Sequence, residues 1–381
     1  MNICVVCQSF PTQKTIDFVF VEQLCREFAE LGENVTVIAP QSVLKSIVRQ
    51  IPLQKIRSVV RTKNSCYTLL RPYCLSFGNG FHKLNKKFFD HAVLSACKKI
   101  DAIPDILYGH FWCCGDAALP FALKKNIPLF VVAGEGEISS YKIMSEADIQ
   151  RLRDAVNGVI CVSSKSKKES IAVGFTTEDK CLVIPNAINP ALFYLRDKVS
   201  MRDKLNLPQD SFILAFVGQF NSRKGVARLC EALKKVNNPN IKIMFMGTGA
   251  EQPDYEGTIF AKTVNHDILP EYLSAADAFV LPSINEGCSN AIIEAMACGL
   301  PILSSDMDFN HDVLNESNSI LFDPMNTDDI ANTVKTLYSN SDLREKLSKG
   351  ALETASKLTI HERSKKILAF IKSRLPEGGH D

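Results

Sequence analysis

The sequence predicts an α/β protein made of two doubly wound domains, and three observations carry that expectation. The chain has 381 residues, more than one hydrophobic core of ordinary size organises, so two domains is the physical starting point. Short apolar runs bounded by turns alternate with longer stretches of helical periodicity, the pattern of parallel strands covered on both faces by crossover helices. Midway, Ile184-Pro185-Asn186-Ala187-Ile188-Asn189-Pro190 interrupts the alternation with two prolines and two asparagines, as an interdomain hinge does.

Before the hinge, residues 2–6, 35–39, 106–108, 128–133 and 158–162 read as strands, with helices near 18–31, 83–99, 116–124 and 164–173. After it, strands are predicted near 212–217, 241–246, 258–261, 277–281, 301–304 and 319–322, with helices between them. Further helices are predicted near 327–338, 342–356 and 360–374. The expected domains are 1–187 and 188–359, with a C-terminal helix of about 360–378 packing back onto the first. Two such Rossmann-like sheets are expected to face a central cleft with their carboxyl ends, where a ligand binds.

Composition excludes several classes. At 46% hydrophobic and 23% charged, with 19 Gly and 17 Pro, the chain is neither disordered nor collagen-like. Its longest apolar runs, such as Ile213 to Val217, are far shorter than the roughly 20 residues of a membrane span. Met1-Asn2-Ile3-Cys4-Val5-Val6-Cys7 lacks a basic flank before a long apolar stretch, so it reads as a first strand and the expected location is cytoplasmic. The 13 cysteines are scattered through apolar segments such as Val159-Ile160-Cys161-Val162, which fits reduced, buried thiols. Cys4 and Cys7 fall on opposite faces of a strand, and Cys113-Cys114 has no second pair at ligand spacing. Neither a metal nor a cofactor is expected.

The stretch richest in chemistry runs from Ala278 to Pro301. A buried strand ends at Pro282, a small-residue loop follows, and a helix opens with Ser289 or Asn290 as N-cap and stops at Gly299. Loop amides and the positive helix end make an anion site that suits a diphosphate. Glu294 lies in the first turns of that helix, where a carboxylate can accept hydrogen bonds from a diol such as a ribose. Glu286 leaves the strand end, on the side where a sugar attached to the diphosphate would lie. Taken singly, either glutamate is more simply a surface carboxylate; the strand, loop and capped helix around them favour the functional reading.

Glu286 through Pro301 resembles the run E-G-x-x-x-x-x-x-E-A-M-A-x-G-x-P of the retaining glycosyltransferases of family four, which have the two-domain GT-B fold. Further similarity lies in Gly218 and Lys224-Gly225, in Ile184-Pro185-Asn186, in Leu269 to Asp277, and in Tyr108-Gly109-His110. The resemblance implies a metal-independent, retaining transfer from a nucleotide-diphosphate sugar, with a UDP-sugar the favoured donor, to a saccharide or lipid-linked acceptor. It implies that Glu294 holds the donor ribose and Glu286 contacts the sugar. The amides of Gly287, Cys288, Ser289 and Asn290 would face sugar and diphosphate, and Lys224 would neutralise the diphosphate beside Gly218. Val264-Asn265 would lie near the base and His110 near the reacting carbon.

Three departures accompany the match. Gln219 stands where the family usually has Arg, with Arg223 the neighbouring cation; Ser9 to Asp17 holds no glycine; and Gly134-Glu135-Gly136-Glu137 replaces a stretch that often reads His-Gly. Glu135 and Glu137 read either as acceptor contacts or as a solvated loop. Cys288, in the donor loop, is expected to be exposed to alkylating reagents. Asp306-Met307-Asp308 mimics a metal-binding triplet at the wrong place in this architecture, and Gly247-Thr248-Gly249 is half of a dinucleotide fingerprint. Two competing readings are a sugar-nucleotide epimerase of the same fold and a non-catalytic nucleotide-sugar-binding module, the second favoured by Gln219.

Charge is uneven along the chain. The net charge is only +2, yet Asn34 to Phe89 contains ten Lys and Arg and no Asp or Glu. Val43, Leu44, Ile47, Val48 and Ile51 recur there at helical spacing around Lys45 and Arg49. Residues 43–63 therefore read either as a segment lying on an anionic membrane surface or as a core helix with a solvated basic face. No nucleic-acid recognition motif accompanies the run, so nucleic acid is not an expected partner.

Overall fold

The computed structural model describes residues 1–12, 15, 17–78 and 80–375. The chain forms two compact units: Met1–Ile184 together with the segment that begins at Ser364, and Pro185–Arg363.

The first unit holds β1 (Asn2–Val6), α1 (Val19–Glu30), β2 (Asn34–Ile38), β3 (Gln41–Ser42), α2 (Val43–Arg49), β4 (Arg57–Arg61), β5 (Cys66–Leu70) and β6 (Tyr73–Cys74). It continues with α3 (His82–Cys97), β7 (Ile106–His110), α4 (Trp112–Lys125), β8 (Leu129–Ala133), α5 (Glu146–Ala155), β9 (Val156–Cys161), α6 (Ser164–Ala172) and β10 (Cys181–Val183). Eight strands form one sheet in the order β10-β9-β8-β7-β1-β2-β5-β4. Strands β7 and β8 are buried at every position, as strands covered on both faces must be. Helix α1 shows why helices cover them: Val21, Leu24, Cys25 and Phe28 recur at i, i+3, i+4 and i+7, and all are buried.

Two expectations are corrected here. The sheet is not wholly parallel, because β4 pairs antiparallel with β5 at the edge, Val59 opposite Thr68. Only Val59 and Val60 are apolar in β4, and its exposure alternates, so it lacks the continuous apolar run that marks the buried strands. Helix α2 buries none of its residues, with Ile47 69% and Val48 82% exposed, so it is not a core helix.

The second unit contains α7 (Lys198–Leu205), β11 (Phe212–Val217), α8 (Val226–Val236), β12 (Ile241–Met246), β13 (Thr258–Lys262) and α9 (Leu269–Ser274). It continues with β14 (Ala278–Leu281), α10 (Asn290–Ala297), β15 (Ile302–Ser305), β16 (Ser319–Phe322), α11 (Thr327–Ser339) and α12 (Ser341–Lys357). Its sheet, β13-β12-β11-β14-β15-β16, is parallel throughout. The strand order reverses between β11 and β14, as it does between β1 and β7 in the first unit. Loops at the carboxyl ends of strands flanking such a reversal splay apart and leave a crevice for a ligand.

Helix α13 (Ile360–Ser373) ends the described chain, and residues 376–378 of the expected C-terminal helix lie outside the described residues. From Ser364 onward it belongs to the first unit, where Ile367, Leu368, Phe370 and Ile371 are buried. The ring of Phe370 meets that of Phe130 edge to face at 6.4 Å, and Lys372 pairs with Glu33 at 3.3 Å. Among the described residues, no helix is long and apolar enough to cross a membrane.

Candidate active site

In the second unit, the loops after β11 and β14 meet at the strand-order reversal. The Nζ of Lys224 lies 2.6 Å from Oε1 of Glu286, and Nη1 of Arg223 lies 2.9 Å from the same oxygen. Ser283 donates its hydroxyl to that oxygen as well, at 2.8 Å. Burial pushes the Glu286 carboxyl upward, but the charges of Lys224 and Arg223 and the hydrogen bonds from Lys224 and Ser283 outweigh it and hold the group below its ordinary range. Arg223 also donates to the carbonyl of Asn285 at 2.7 Å, so its guanidinium is aimed along the Glu286 loop. Gly218 makes room for the lysine: a Cβ there would stand 3.2 Å from Cδ and Cε of Lys224. Gln219 is exposed and accepts a hydrogen bond from Asn221.

The loop ahead of α10 is closely packed. Gly287 and Ser289 are buried, and Ser289 is the N-cap, yet no side chain caps the helix, which leaves its first-turn amides without a side-chain acceptor. Asn285 Oδ1 and Asn290 Oδ1 are buried with no hydrogen-bond partner among the described residues. Unpaired buried acceptors of this kind are uncommon. Cys288 corrects an expectation. It is buried, its carbonyl accepts a hydrogen bond from Asn186 at 3.0 Å, and burial pushes its thiol up to about 11.

Glu294 faces a partner that spacing did not reveal. Nε2 of His266 lies 3.0 Å from Glu294 Oε1, and Phe193 packs edge-on against the imidazole at 5.1 Å. A single histidine in the Asn265-His266-Asp267 turn carries no periodicity, so only the fold could bring it to Glu294. Ser283 was missed for the same reason. Val264 is half-buried, while Asn265 is exposed and uses its carbonyl to open α9 through the amides of Ile268 and Leu269.

In the first unit, His110 ends β7 buried among the rings of Phe20, Tyr108 and Phe111. Gly109 permits this, because a Cβ there would lie 2.5 Å from the amide nitrogen of Gly115 as α4 crosses the strand end. The next residue, Phe111, has φ of +84°, a strained value for a bulky side chain and one that clusters at functional sites. Glu135 takes over capping of α4: its carboxylate accepts from the amides of Trp112 at 3.0 Å and Gly134 at 3.1 Å. Burial pushes this carboxyl up to about 7 against those bonds. Glu137 instead lies exposed and pairs with Lys142 at 2.5 Å, which is the solvated-loop alternative for that residue. Among the described residues, no group of three or more His, Cys, Asp or Glu is placed to hold a metal ion.

Comparison with known proteins agrees with this architecture. The pattern of the family described as Glycosyltransferase Family 4 matches residues 18–192, and that of Glycosyl transferases group 1 matches residues 197–354. A Bacillus subtilis (strain 168) protein named as a teichuronic acid biosynthesis glycosyltransferase, TuaC, is 26% identical over 363 residues, covering 90% of each chain. Among solved structures, sucrose-phosphate synthase from Thermosynechococcus elongatus superposes with a TM-score of 0.78 at 19% identity, over 98% of both chains. Anabaena HepE, solved with UDP and glucose, gives 0.73 at 16% identity, over 98% of this chain and 100% of its own. The protein is therefore a glycosyltransferase of the GT-B fold, and the chain belongs to glycosyltransferase family four.

Proposed function

We propose that the protein transfers a sugar from a nucleotide-diphosphate sugar, a UDP-sugar by preference, to a hydroxyl of a saccharide or lipid-linked saccharide, with retention at the anomeric carbon and without a metal. The observation that carries this reading is the convergence of Lys224, Arg223 and Ser283 on Glu286 Oε1, beside an uncapped helix start. Anabaena HepE, solved with UDP and with UDP-glucose, supports the donor class. The name of the Bacillus relative supports a role in cell-surface polysaccharide or glycoconjugate synthesis.

In this reading Glu294 receives the ribose hydroxyls, with Val264 and Asn265 near the base. Glu286 contacts the sugar, and Gly218, Gln219 and the amides of Gly287 to Asn290 surround the diphosphate. As the glycosidic bond breaks, negative charge grows on the leaving diphosphate. Lys224, Arg223 and the fixed amides stabilise that charge, a contribution that is often the largest in catalysis. The acceptor hydroxyl attacks from the face the diphosphate leaves, which can take its proton, so no strong protein base is required. His110 completes the proposed catalytic set.

A partner surface is part of the proposal. Ile47, Val48, Ile56 and Val59 are exposed, and so are Lys55, Arg61 and Lys63 in the same stretch of chain, a combination of apolar and basic residues suited to an anionic bilayer on the inner side of the membrane. The test of the whole reading is a panel of nucleotide sugars offered with soluble and lipid-linked acceptors in the presence of a chelator. Transfer with the donor's anomeric configuration kept is expected. An inverted product, loss of transfer on chelation, or sugar interconversion without acceptor would overturn it, the last in favour of an epimerase.

A further inference from the structure

Nine of the 13 cysteines are buried, so thiol exchange with a solute is confined to Cys66, Cys74, Cys113 and Cys181. Cys181 combines partial exposure with a second thiol and a cation. It opens β10, the edge strand of the eight-stranded sheet, and is half-buried. On the adjoining strand β9, the buried thiol of Cys161 shares a hydrogen bond with it. The strand register explains the meeting. Cys181 is level with Val159, and Val183 with Cys161, so the two cysteines stand on one face of the sheet, two residues out of step.

That stagger decides what chemistry the pair can do. One strand spacing of about 4.8 Å and two residues of rise, about 6.6 Å, put the Cα atoms roughly 8 Å apart, beyond the ~7 Å limit for a disulfide without backbone movement. The two sulfurs therefore share a proton and not a bond. The hydrogen bond to Cys181 and burial both push the pKa of Cys161 up, so that thiol keeps its proton. In Cys181 the hydrogen bond from Cys161, the hydroxyl of Thr176 and the charge of Lys167 outweigh burial and the charge of Glu178, and bring the thiol down to about 7. Its Sγ lies 3.7 Å from Thr176 Oγ1 and 3.3 Å from the carbonyl oxygen of Thr177. Lys167, on α6, pairs with Glu178 of the turn Glu178–Lys180, which tempers its effect on the sulfur.

We propose that Cys181 is a modification site for low-molecular-weight disulfides, with Cys161 as the buried donor that holds its thiolate. The Cys181 thiolate attacks one sulfur of the disulfide. A new S–S bond forms to Cys181 Sγ as the old one breaks, and the displaced half leaves as a thiolate that water protonates. Cys181 is oxidised and the departing half is reduced, so no further oxidant enters. The product is a mixed disulfide, because the stagger keeps Cys161 out of bonding reach. The adduct falls three residues before Ile184, where the main segment of the first unit ends.

The test incubates the full chain with oxidised glutathione from about pH 5.5 to about pH 9 and locates the adduct by peptide mass mapping without reduction. One glutathione is expected on Cys181, removable by dithiothreitol, at a rate whose midpoint lies near pH 7. Cys161→Ala is expected to return the midpoint to the ordinary thiol value of about 8.5. At pH 7 its roughly sixteenfold loss of thiolate is offset by a roughly fivefold gain in nucleophilicity, which leaves the rate about threefold lower. Cys161→Ser keeps a donor in place and should restore the wild-type pH profile, which lost packing alone does not move. Lys167→Met is expected to give a second, smaller upward shift, and it serves where Cys161→Ala does not fold. An unmodified Cys181, a wild-type midpoint at or above about 8.5, an internal Cys161–Cys181 disulfide as product, or an unshifted profile in Cys161→Ala or Lys167→Met overturns the proposal.

Discussion

His266 Nε2 lies 3.0 Å from Glu294 Oε1, tying the turn after β13 to helix α10. Burial works against charge on the imidazole, but the hydrogen bond and charge of Glu294 outweigh it and raise the pKa of His266 above 6.5. A raised histidine contributes stability that is fully present below its unfolded pKa and is lost as pH rises through the folded one. Wild type is therefore expected to lose thermal stability above about pH 6.5, and His266→Gln to lose less. Identical pH profiles of Tm for the two proteins would remove the ion pair from the account. In donor titrations, the same variant should raise the donor KM more than it lowers kcat.

Lys224→Met removes one cation from Glu286 and leaves Arg223. If Lys224 stabilises the leaving diphosphate, turnover should fall by roughly two orders of magnitude, the scale for losing one preorganised stabilising group. Steady-state transfer with retained UDP binding checks this, and unchanged kcat would count against the assignment.

Glu135 titrates in the opposite sense to Glu286. A carboxyl at about 7 when folded and 4.5 otherwise is carried protonated into the folded state, so stability falls as pH rises between those values, by on the order of 3 kcal/mol. Chemical unfolding at pH 4.5 and pH 8 should show a smaller difference for Glu135→Gln than for wild type. Equal differences would mean that the carboxyl is not so buried in solution.

Cys288 gives a negative prediction. With its thiol at about 11, roughly one in a thousand is thiolate at pH 8, and the sulfur is covered. Brief iodoacetamide treatment of the native protein should modify exposed Cys66 and spare Cys288, as read by peptide mass mapping. Rapid, donor-protected labelling of Cys288 would instead place an open loop there.

Sequence periodicity made most of the architecture legible where burial dictates composition. Strands such as β8 and β14, covered on both faces, have to be apolar throughout, and α1 has to repeat its apolar positions every three or four residues. It failed at the sheet edge, because β4 satisfies only one face and buries little. The Glu286 and Glu294 pair was readable because a strand, a small-residue loop and a helix stop frame it in one segment. His266 and Ser283 were not, since each is an isolated polar residue whose meaning arises only when distant segments meet. Cys288 was misread because its place in the loop does not reveal how tightly Asn186 and its neighbours close over it.

The last helix bears on how the protein is made. The first unit takes Ile367, Leu368, Phe370 and Ile371 from α13, so residues 1–184 leave the ribosome without part of their own cover. The second unit is contiguous and can be complete before synthesis ends. Until Ser364 and its successors appear, Phe130 and the neighbouring strand β9 present an apolar surface to water. Of the two units, the one translated earlier is thus the one that matures later.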